Sequence, residues 1–372
     1  MPLLDRYLAR EILVPLAAGL LFLTQLLLAT QLLAQAHILF GAGVSLADVG
    51  SVILYLLPYF VGFVLPVAFL LGVVLGVSRL ASDREVIAMS AAGLSPLRLL
   101  RVPLLLSIAA AALGLWIALF LEPAGMRAVR GLMTDIVKRN VTNEVRSGTF
   151  YDEIPGYTLY AERTGEDGWE HVLIHDRTNP DAPVLALAGR GRLEPAGAAK
   201  DMLLVLADGE VHREAVQSED YALATFDRAE LWVGLGRGAT AGARDLGRNA
   251  REVTLAETRA AIAAAYAAGK PEQAWRIEGN LHRKIASALV VIVFALLGVA
   301  LGASPWAGKA FGAGATLLVM VGHYILLRAG QQLVQKGVAP AWLGLELGNA
   351  VVGGVALLLL WRLARRGAGA VR

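Results

Sequence analysis

Residues 54–96 read "LYLLPYFVGFVLPVAFLLGVVLGVSRLASDREVIAMSAAGLSP", a long apolar run followed by a short polar stretch. The apolar run extends over residues 49–78 and contains no Asp, Glu, Lys or Arg. A helix needs about 20 apolar residues to cross a hydrocarbon core about 30 Å thick. The run therefore predicts a membrane-spanning helix, and the polar stretch predicts a loop at one membrane surface.

The whole chain has the composition of a membrane protein. Of its 372 residues, 56% are hydrophobic and 17% are charged, and the mean hydropathy is +0.57. Six apolar runs are long enough to span a bilayer, at residues 12–36, 49–78, 102–121, 285–307, 310–327 and 341–361. The sequence predicts a polytopic α-helical membrane protein with six transmembrane helices. The first run is too long for the apolar region of a secretory signal and is interpreted as a retained helix.

The segment between the third and fourth runs has a different pattern. From Gly148 onward, short stretches such as "YTLYAE", "HVLIHD" and "AELWVGL" lie between turn signals, which predicts an antiparallel sheet folded into a sandwich or roll. A helix is expected on each side of the sheet, the second with a capping box at Thr254 and Glu257. The predicted divisions are residues 1–121 for helices one to three, residues 122–280 for the β domain with its flanking helices, and residues 281–372 for helices four to six.

The distribution of Lys and Arg predicts the orientation. Cytoplasmic loops carry the excess of these residues, whereas the loop at residues 36–48 has none. Both termini are therefore expected in the cytoplasm and the β domain in the periplasm of a bacterium with two membranes. The chain has no cysteine, which excludes disulfides and thiolate-bound metal. The Arg residues that set this orientation are Arg6, Arg10, Arg79, Arg84, Arg98, Arg101, Arg362, Arg365, Arg366 and Arg372.

The polar stretch predicts a short cytoplasmic helix over about residues 82–93. Ser82 and Glu85 have capping-box spacing, and Gly93 with Pro96 marks the end. So short a helix needs a surface to pack against, either its own membrane helices or a cytoplasmic partner. Glu85 is accordingly a capping residue, a charge offered to a partner, or both. The residues assigned to this element are Ser82, Asp83, Arg84, Glu85, Val86, Ile87, Met89 and Gly93.

Catalytic motifs are missing from the sequence. It contains neither a His-Glu-x-x-His motif nor a Gly-x-Ser-x-Gly nucleophile elbow. Residues 302–310, "GASPWAGKA", depart from a phosphate-binding loop in the glycine spacing and in having Ala310 where Ser or Thr is required. No catalytic or metal-binding residue is predicted, so uphill transport would take its energy from another chain. A membrane scaffold that recruits partners through its sheet is the alternative, and a lipid-modifying enzyme is disfavoured.

Three stretches resemble the LptF/LptG (YjgP/YjgQ) permeases of the lipopolysaccharide export ABC transporter. They are "RYLAREIL" at residues 6–13, the opening stretch at residues 54–96, and "RIEGNLHRKIASALVVIVFALLGVALG" at residues 276–302. The order of three helices, a soluble domain and three helices is similar as well. The resemblance covers essentially the whole chain, and its general appearance is closer to LptF than to LptG.

The resemblance implies a mechanism and a set of partners. The short helix would be a coupling helix in a groove of a cytoplasmic ATPase dimer, with Glu85 facing the ATPase. The β domain would be a periplasmic jellyroll that passes lipopolysaccharide to further jellyroll proteins, joined edge to edge. A second, related permease and a single-span membrane subunit would complete the assembly, and the first and fifth spans would form lateral gates. No cofactor is implied for this chain, because the partner binds ATP, and no nucleic acid is involved.

Several residues are candidate contacts under this resemblance. Lipid phosphates at the outer surface would be bound by Arg276, Arg283, Lys284 and Arg328, although the basic residues around the fourth run fit a cap of that span equally well. Gln31, Gln35 and His323 are candidate gate residues, and the two glutamines also fit hydrogen bonds to a neighbouring helix. Arg328 and Glu346 are predicted to pair, as ionisable groups in spans usually do.

Two further sets of residues concern packing. Gly72, Gly76, Gly298 and Gly302 have the spacing of close helix contacts. Apolar residues of the predicted strands either form a sandwich core or line a cavity for acyl chains. That second set is Leu159, Val172, Ile174, Leu185, Leu187, Leu204 and Leu206.

Overall fold

The computed structural model describes residues 2–34, 36, 44–144, 147–151, 156–165, 168–177, 183–196, 201–214, 221–233, 251–303 and 309–366. Six helical spans in these ranges are long and apolar enough to cross a membrane, which confirms the predicted number. The α-helices are α1 Pro2–Ala34, α2 Leu46–Ser82, α3 Glu85–Ala91, α4 Arg101–Trp116, α5 Glu122–Glu144, α6 Leu255–Ala267, α7 Pro271–Gly302, α8 Lys309–Gln335 and α9 Ala341–Arg366.

The third span is a composite of several helical segments. A 3-10 turn at Pro96–Leu100 leads into α4, and a π-helical segment at Ile117–Leu121 joins α4 to α5 without a break. The span as a whole covers Leu97–Met133. Pi segments are uncommon, and they are found often at functional positions because the extra residue rearranges the local backbone bonds.

The predicted glycine contacts are confirmed. A methyl group added at Gly76 would lie 2.8 Å from the backbone oxygen of Glu11 on α1, and one at Gly302 would lie 2.7 Å from Cβ of Val77 on α2. Gly72 and Gly298 meet α1 and α2 equally closely. Because no Cβ fits at these positions, α2 lies directly against α1 on one side and α7 on the other.

The inserted domain contains one antiparallel sheet. Each strand pairs with its neighbours in chain order, so the described strands form a meander. This confirms an inserted antiparallel β domain, and the jellyroll form remains what the resemblance implies. The strands are β1 Thr149–Tyr151, β2 Tyr157–Gly165, β3 Gly168–Asp176, β4 Val184–Ala196, β5 Asp201–Glu214 and β6 Tyr221–Val233.

One face of the sheet carries a buried core. Leu159, Val172, Ile174, Leu204 and Leu206 belong to its buried core, as expected for alternating strands. Leu185 and Leu187 do not join them, because Ala186 and Ala188 are the buried residues of β4. Leu185 and Leu187 are half-buried, so the interpretation as sandwich core does not hold for these two leucines. β4 carries apolar residues on both faces, so its sequence lacks the alternation of apolar and polar residues that distinguishes a buried face from an exposed one.

The chain divides into two compact units. One comprises Met1–Gln31, Ile53–Met126 and Ala250–Arg372, and it holds most of the membrane helices. The other comprises Leu32–Val52 and Arg127–Asn249, and it holds the sheet. Every contact described below for the candidate sites lies within the first unit.

Candidate functional site

The coupling segment, residues 82–93, contains a shorter helix than its sequence predicts. α2 continues through Ser82, whose hydroxyl donates to the Ser78 carbonyl at 2.9 Å. Arg84 then takes a left-handed conformation with φ of 59°, and α3 begins at Glu85 without a side-chain cap. The predicted capping box at Ser82 and Glu85 is therefore wrong, because the apolar helix before it extends to Ser82 and uses that hydroxyl.

The predicted end of the segment is confirmed. Gly93 has φ of +83°, a left-handed conformation that suits glycine, and its N–H donates to the Ser90 carbonyl. The Ser95 side chain then caps the 3-10 turn by accepting from the Leu97 amide at 3.3 Å. These two features reverse the chain between α3 and the third span.

The two sides of α3 have different surroundings. Val86 is 3% exposed and lies in the same buried cluster as Leu80 and Leu99, and Met89 packs against that cluster. Ile87, on the other side, is 47% exposed. One face of the helix is therefore packed on the protein's own membrane helices, while the opposite face is exposed.

Polar contacts tie the coupling segment and its neighbours to the first turns of α1. The Tyr7 hydroxyl donates to Oε1 of Glu85 at 3.0 Å. Asp5 pairs with Arg98 at 3.2 Å, and Glu11 accepts from Arg79 at 2.7 Å. We name Asp5, Tyr7 and Glu11 the α1 anchor.

Sequence reasoning missed the α1 anchor. Arg79 and Arg98 were assigned only to the orientation of the chain, and no role was given to Asp5 or Glu11. An available signal is the presence of two acidic residues beside basic ones at the edge of an apolar span, where each charge is costly unless it is paired.

A second polar group lies where α4 becomes α5. Lys284 on α7 is 8% exposed, and its ammonium donates to the Ala118 carbonyl in the π segment at 2.7 Å. Glu122 interacts electrostatically with Lys284, Arg283 and Arg251. We name Glu122, Arg251, Arg283 and Lys284 the buried charge cluster; Lys284 is its buried member, and the other three side chains are half-buried. Arg251 also lies over the Tyr59 ring, 4.6 Å from its centroid.

The four candidate phosphate contacts have different surroundings. Arg276 and Arg328 are exposed, Arg283 is half-buried, and Lys284 is buried. Lys284 therefore has a structural role in this structure, because its ammonium is bonded to a backbone carbonyl and shielded from lipid. The Arg328 guanidinium bonds to the Tyr324 hydroxyl at 2.8 Å and to the Gln331 side chain at 3.3 Å.

The predicted pair of Arg328 and Glu346 is wrong. Oε2 of Glu346 accepts from the Asn349 amide at 2.6 Å, one helical turn along α9. Asn349 also donates to the Ala286 carbonyl on α7 at 3.0 Å and lies 3.0 Å from the His323 ring nitrogen on α8. Asn349 thus joins three helices, and Glu346 uses this nearer partner on its own helix.

The gate candidates are only partly described. Gln31 is half-buried near the end of α1, and Gln35 lies outside the described residues. His323 lies on α8, but its ring meets Asn349 and the edge of Phe294, 5.5 Å from that ring.

Two further observations concern metal binding and the protonation of a tyrosine. Among the described residues, no group of three His, Asp or Glu side chains could hold a metal ion. The hydroxyl of Tyr266 on α6 donates to the Glu278 carboxylate at 3.0 Å, and this hydrogen bond raises the pKa of Tyr266. A negative acceptor stabilises the protonated phenol.

Taken together, the fold defines a polytopic helical membrane protein with an inserted antiparallel β domain. A family comparison is more specific. The family described as "Lipopolysaccharide export system permease LptF/LptG" matches residues 6–362, and the chain belongs to this family. A comparison with curated proteins found no match.

Membership of the family establishes the general role. The chain is a lipopolysaccharide export permease and a multi-pass protein of the inner membrane, and a permease component is not a catalytic enzyme. The match covers LptF and LptG together and does not separate them.

Proposed function

We propose that this chain is a transmembrane subunit of an ABC transporter that extracts lipopolysaccharide from the inner membrane. A separate cytoplasmic ATPase dimer hydrolyses ATP, and the coupling segment receives its motion. The observation that carries this proposal is the two-sided environment of α3. Val86 is buried among the membrane helices, whereas Ile87 is open to a partner.

This arrangement suits the transfer of motion. α3 has seven residues, too few to hold a helix by itself in water. Its position is therefore set by what it packs against, and a partner that displaces its open face also displaces the membrane helices beneath. Glu85 is half-buried at the start of α3, where a carboxylate can meet a basic side chain of the ATPase.

The proposed orientation places the coupling segment in the cytoplasm and the sheet in the periplasm. The positive-inside rule counts Lys and Arg rather than net charge, so the pairing of Arg79 and Arg98 with acidic residues does not weaken it. The exceptions in the fourth span, Arg283 and Lys284, interact with Glu122. These two residues run against the rule, and the proposed orientation rests on the larger number of Arg residues at the opposite ends of the spans.

Lipopolysaccharide would enter near the exposed basic residues on that side. Arg276 and Arg328 remain available for lipid phosphates, since both are exposed. The outer surface of α8 supports a gate or a permease contact, because Leu317 and Leu318 are 65% and 75% exposed. Gln31 on α1 remains the candidate on the opposite gate helix.

The sheet would pass lipid onward by strand addition. β6 pairs only with β5 among the described strands, which leaves an edge 13 residues long. Such an edge offers unpaired backbone groups to another strand. A periplasmic jellyroll, from the bridge or from a single-span subunit, is the proposed partner at this edge.

Co-purification tests the proposal. The membrane complex is extracted in mild detergent from cells with the wild-type chain, Glu85→Ala or Glu272→Ala, and bound chains and ATP hydrolysis are measured. Glu272→Ala is the matched control, because Glu272 also lies in the first turn of a helix and is exposed. We expect an ATPase and a second permease with the wild type, and weaker binding or hydrolysis with Glu85→Ala alone. Purification without an ATPase would favour the scaffold function instead.

A further inference from the structure

The Tyr7 hydrogen bond fixes the side chain on which the proposed coupling depends. Glu85 accepts this bond through Oε1. Among the described residues, the Tyr7 hydroxyl is the only hydrogen-bond partner of the Glu85 side chain, and no ion pair to that side chain is formed. A carboxylate has two oxygens and can accept from several donors. The bond to Tyr7 therefore leaves Oε2 for a second donor while it restricts the direction in which the carboxylate points.

Tyr7 is itself held in place. Its ring packs against the buried cluster that contains Leu8 and Val86, so α1 and α3 share one core. Asp5 and Glu11 hold the same part of α1 through ion pairs with Arg98 and Arg79. Loss of the Tyr7 hydroxyl would therefore leave α1 in position and release only the Glu85 side chain.

We propose that Tyr7 is a positioning residue: its hydroxyl orients the Glu85 carboxylate toward a cationic side chain of the ATPase and links the movement of α3 to α1. This inference rests on the proposed coupling function. Without the hydroxyl, Glu85 regains its rotamer freedom, which must be lost again at each contact with the partner. The ATPase would still bind and hydrolyse ATP, but less of its motion would reach α1.

The positioning role of Tyr7 can be tested by removing a single oxygen atom, that of its hydroxyl. The complete complex is reconstituted in vesicles that contain lipopolysaccharide, and ATP hydrolysis and lipid release are measured together. The variants are Tyr7→Phe, Glu85→Ala, the double variant and Tyr266→Phe. Tyr266→Phe is the matched control, because it removes a second Tyr–Glu hydrogen bond of 3.0 Å, one that joins α6 to α7 and not α1 to α3.

The expected result is a loss of coupling. Tyr7→Phe should lower lipid released per ATP about fivefold, the size expected for one partly exposed hydrogen bond to a charged group. Tyr266→Phe should match the wild type. The double variant should equal Glu85→Ala within about twofold, because Tyr7 acts only through Glu85.

Three outcomes would overturn the inference, and they separate it from the proposed function. If Tyr7→Phe behaves as wild type while Glu85→Ala is defective, Tyr7 has no positioning role but the coupling function stands. If the two single effects multiply in the double variant, Tyr7 acts on the structure and not through Glu85. If Glu85→Ala also behaves as wild type, the coupling function and the positioning role both fail.

Discussion

The α1 anchor and the buried charge cluster lie toward opposite ends of the third span and use charge differently. Arg98 and Asp5, in the anchor's contacts, have side chains that are 25% and 28% exposed. Lys284 is 8% exposed and donates to a backbone carbonyl. Partly exposed pairs contribute about 0–1 kcal/mol each and can be exchanged at little cost. A buried charge is different, because removal of its partner leaves an unpaired charge without water.

This difference separates movable contacts from fixed ones. The anchor joins the coupling segment to α1, where bonds that exchange at low energy permit a cycle of movement. The buried charge cluster holds α7 against the π segment, where exchange would be expensive. Variants in the two regions should therefore change different quantities, coupling in the first and stability in the second.

The largest expected effect is at the buried charge cluster. Lys284→Met should destabilise the protein by about 3 kcal/mol, since it removes the donor to the Ala118 carbonyl and one of the positive charges that interact with Glu122. The measurement is the midpoint of thermal unfolding in detergent. Combining Lys284→Met with Glu122→Gln should restore part of the loss, because the second change removes the half-buried negative charge that interacts with the lost ammonium.

Lys336→Met is the matched control, because Lys336 is exposed in a turn. It should leave the midpoint unchanged. If Lys284→Met were no worse than this control, Lys284 would not be structural, and its original assignment to lipid phosphate would regain support.

The next effect concerns the packing beneath the α1 anchor. Gly76→Ala should destabilise by about 2 kcal/mol, because the added methyl would lie 2.8 Å from the Glu11 carbonyl oxygen and backbone must move. Gly354→Ala is the control, since the Cβ there meets nothing within 4 Å. Unfolding midpoints in detergent check both. Equal effects at the two glycines would contradict the close approach of α1 and α2.

The sequence predicted the spans better than the contacts. A run such as residues 49–78 encodes its own helix, because length and apolarity are local properties. The Tyr7–Glu85 bond joins residues 78 apart and depends on how α1 is rotated about its axis. Lys284 and Ala118 are 166 residues apart, and their bond also requires a π segment that no sequence pattern indicated.

Local motifs were predictable only where the surroundings allowed them. The capping box at Thr254 and Glu257 forms as expected, because a turn precedes α6 and leaves its first amides free. The same spacing at Ser82 and Glu85 fails because α2 continues through Ser82. Both sites have the same spacing of a hydroxyl residue and Glu. Whether the capping box forms depends on whether a preceding helix already continues through the hydroxyl residue.

A smaller effect on stability is expected within the α1 anchor. Asp5→Asn should cost about 1 kcal/mol or less, since its ion pairs with Arg98 and Arg101 are partly exposed. If the anchor transmits movement, Asp5→Asn should lower the lipid released per ATP by more than its small loss of stability would explain. The loss of stability is read from the unfolding midpoint. Added salt should reduce the difference in stability from the wild type, because it screens these pairs. A loss as large as that of Lys284→Met would remove the contrast between the two regions.

The smallest effect is a titration at the second Tyr–Glu bond, which isolates what such a bond does outside the spans. The bond to Glu278 raises the pKa of Tyr266 above its ordinary value of about 10. A raised pKa means that the bond stabilises the fold below pH 10, and that this contribution is lost as pH rises through the folded-state pKa. The difference in phenolate absorbance between wild type and Tyr266→Phe gives the midpoint. Glu278→Gln should return it toward the ordinary value, whereas an unchanged midpoint would show that the carboxylate does not hold the phenol proton.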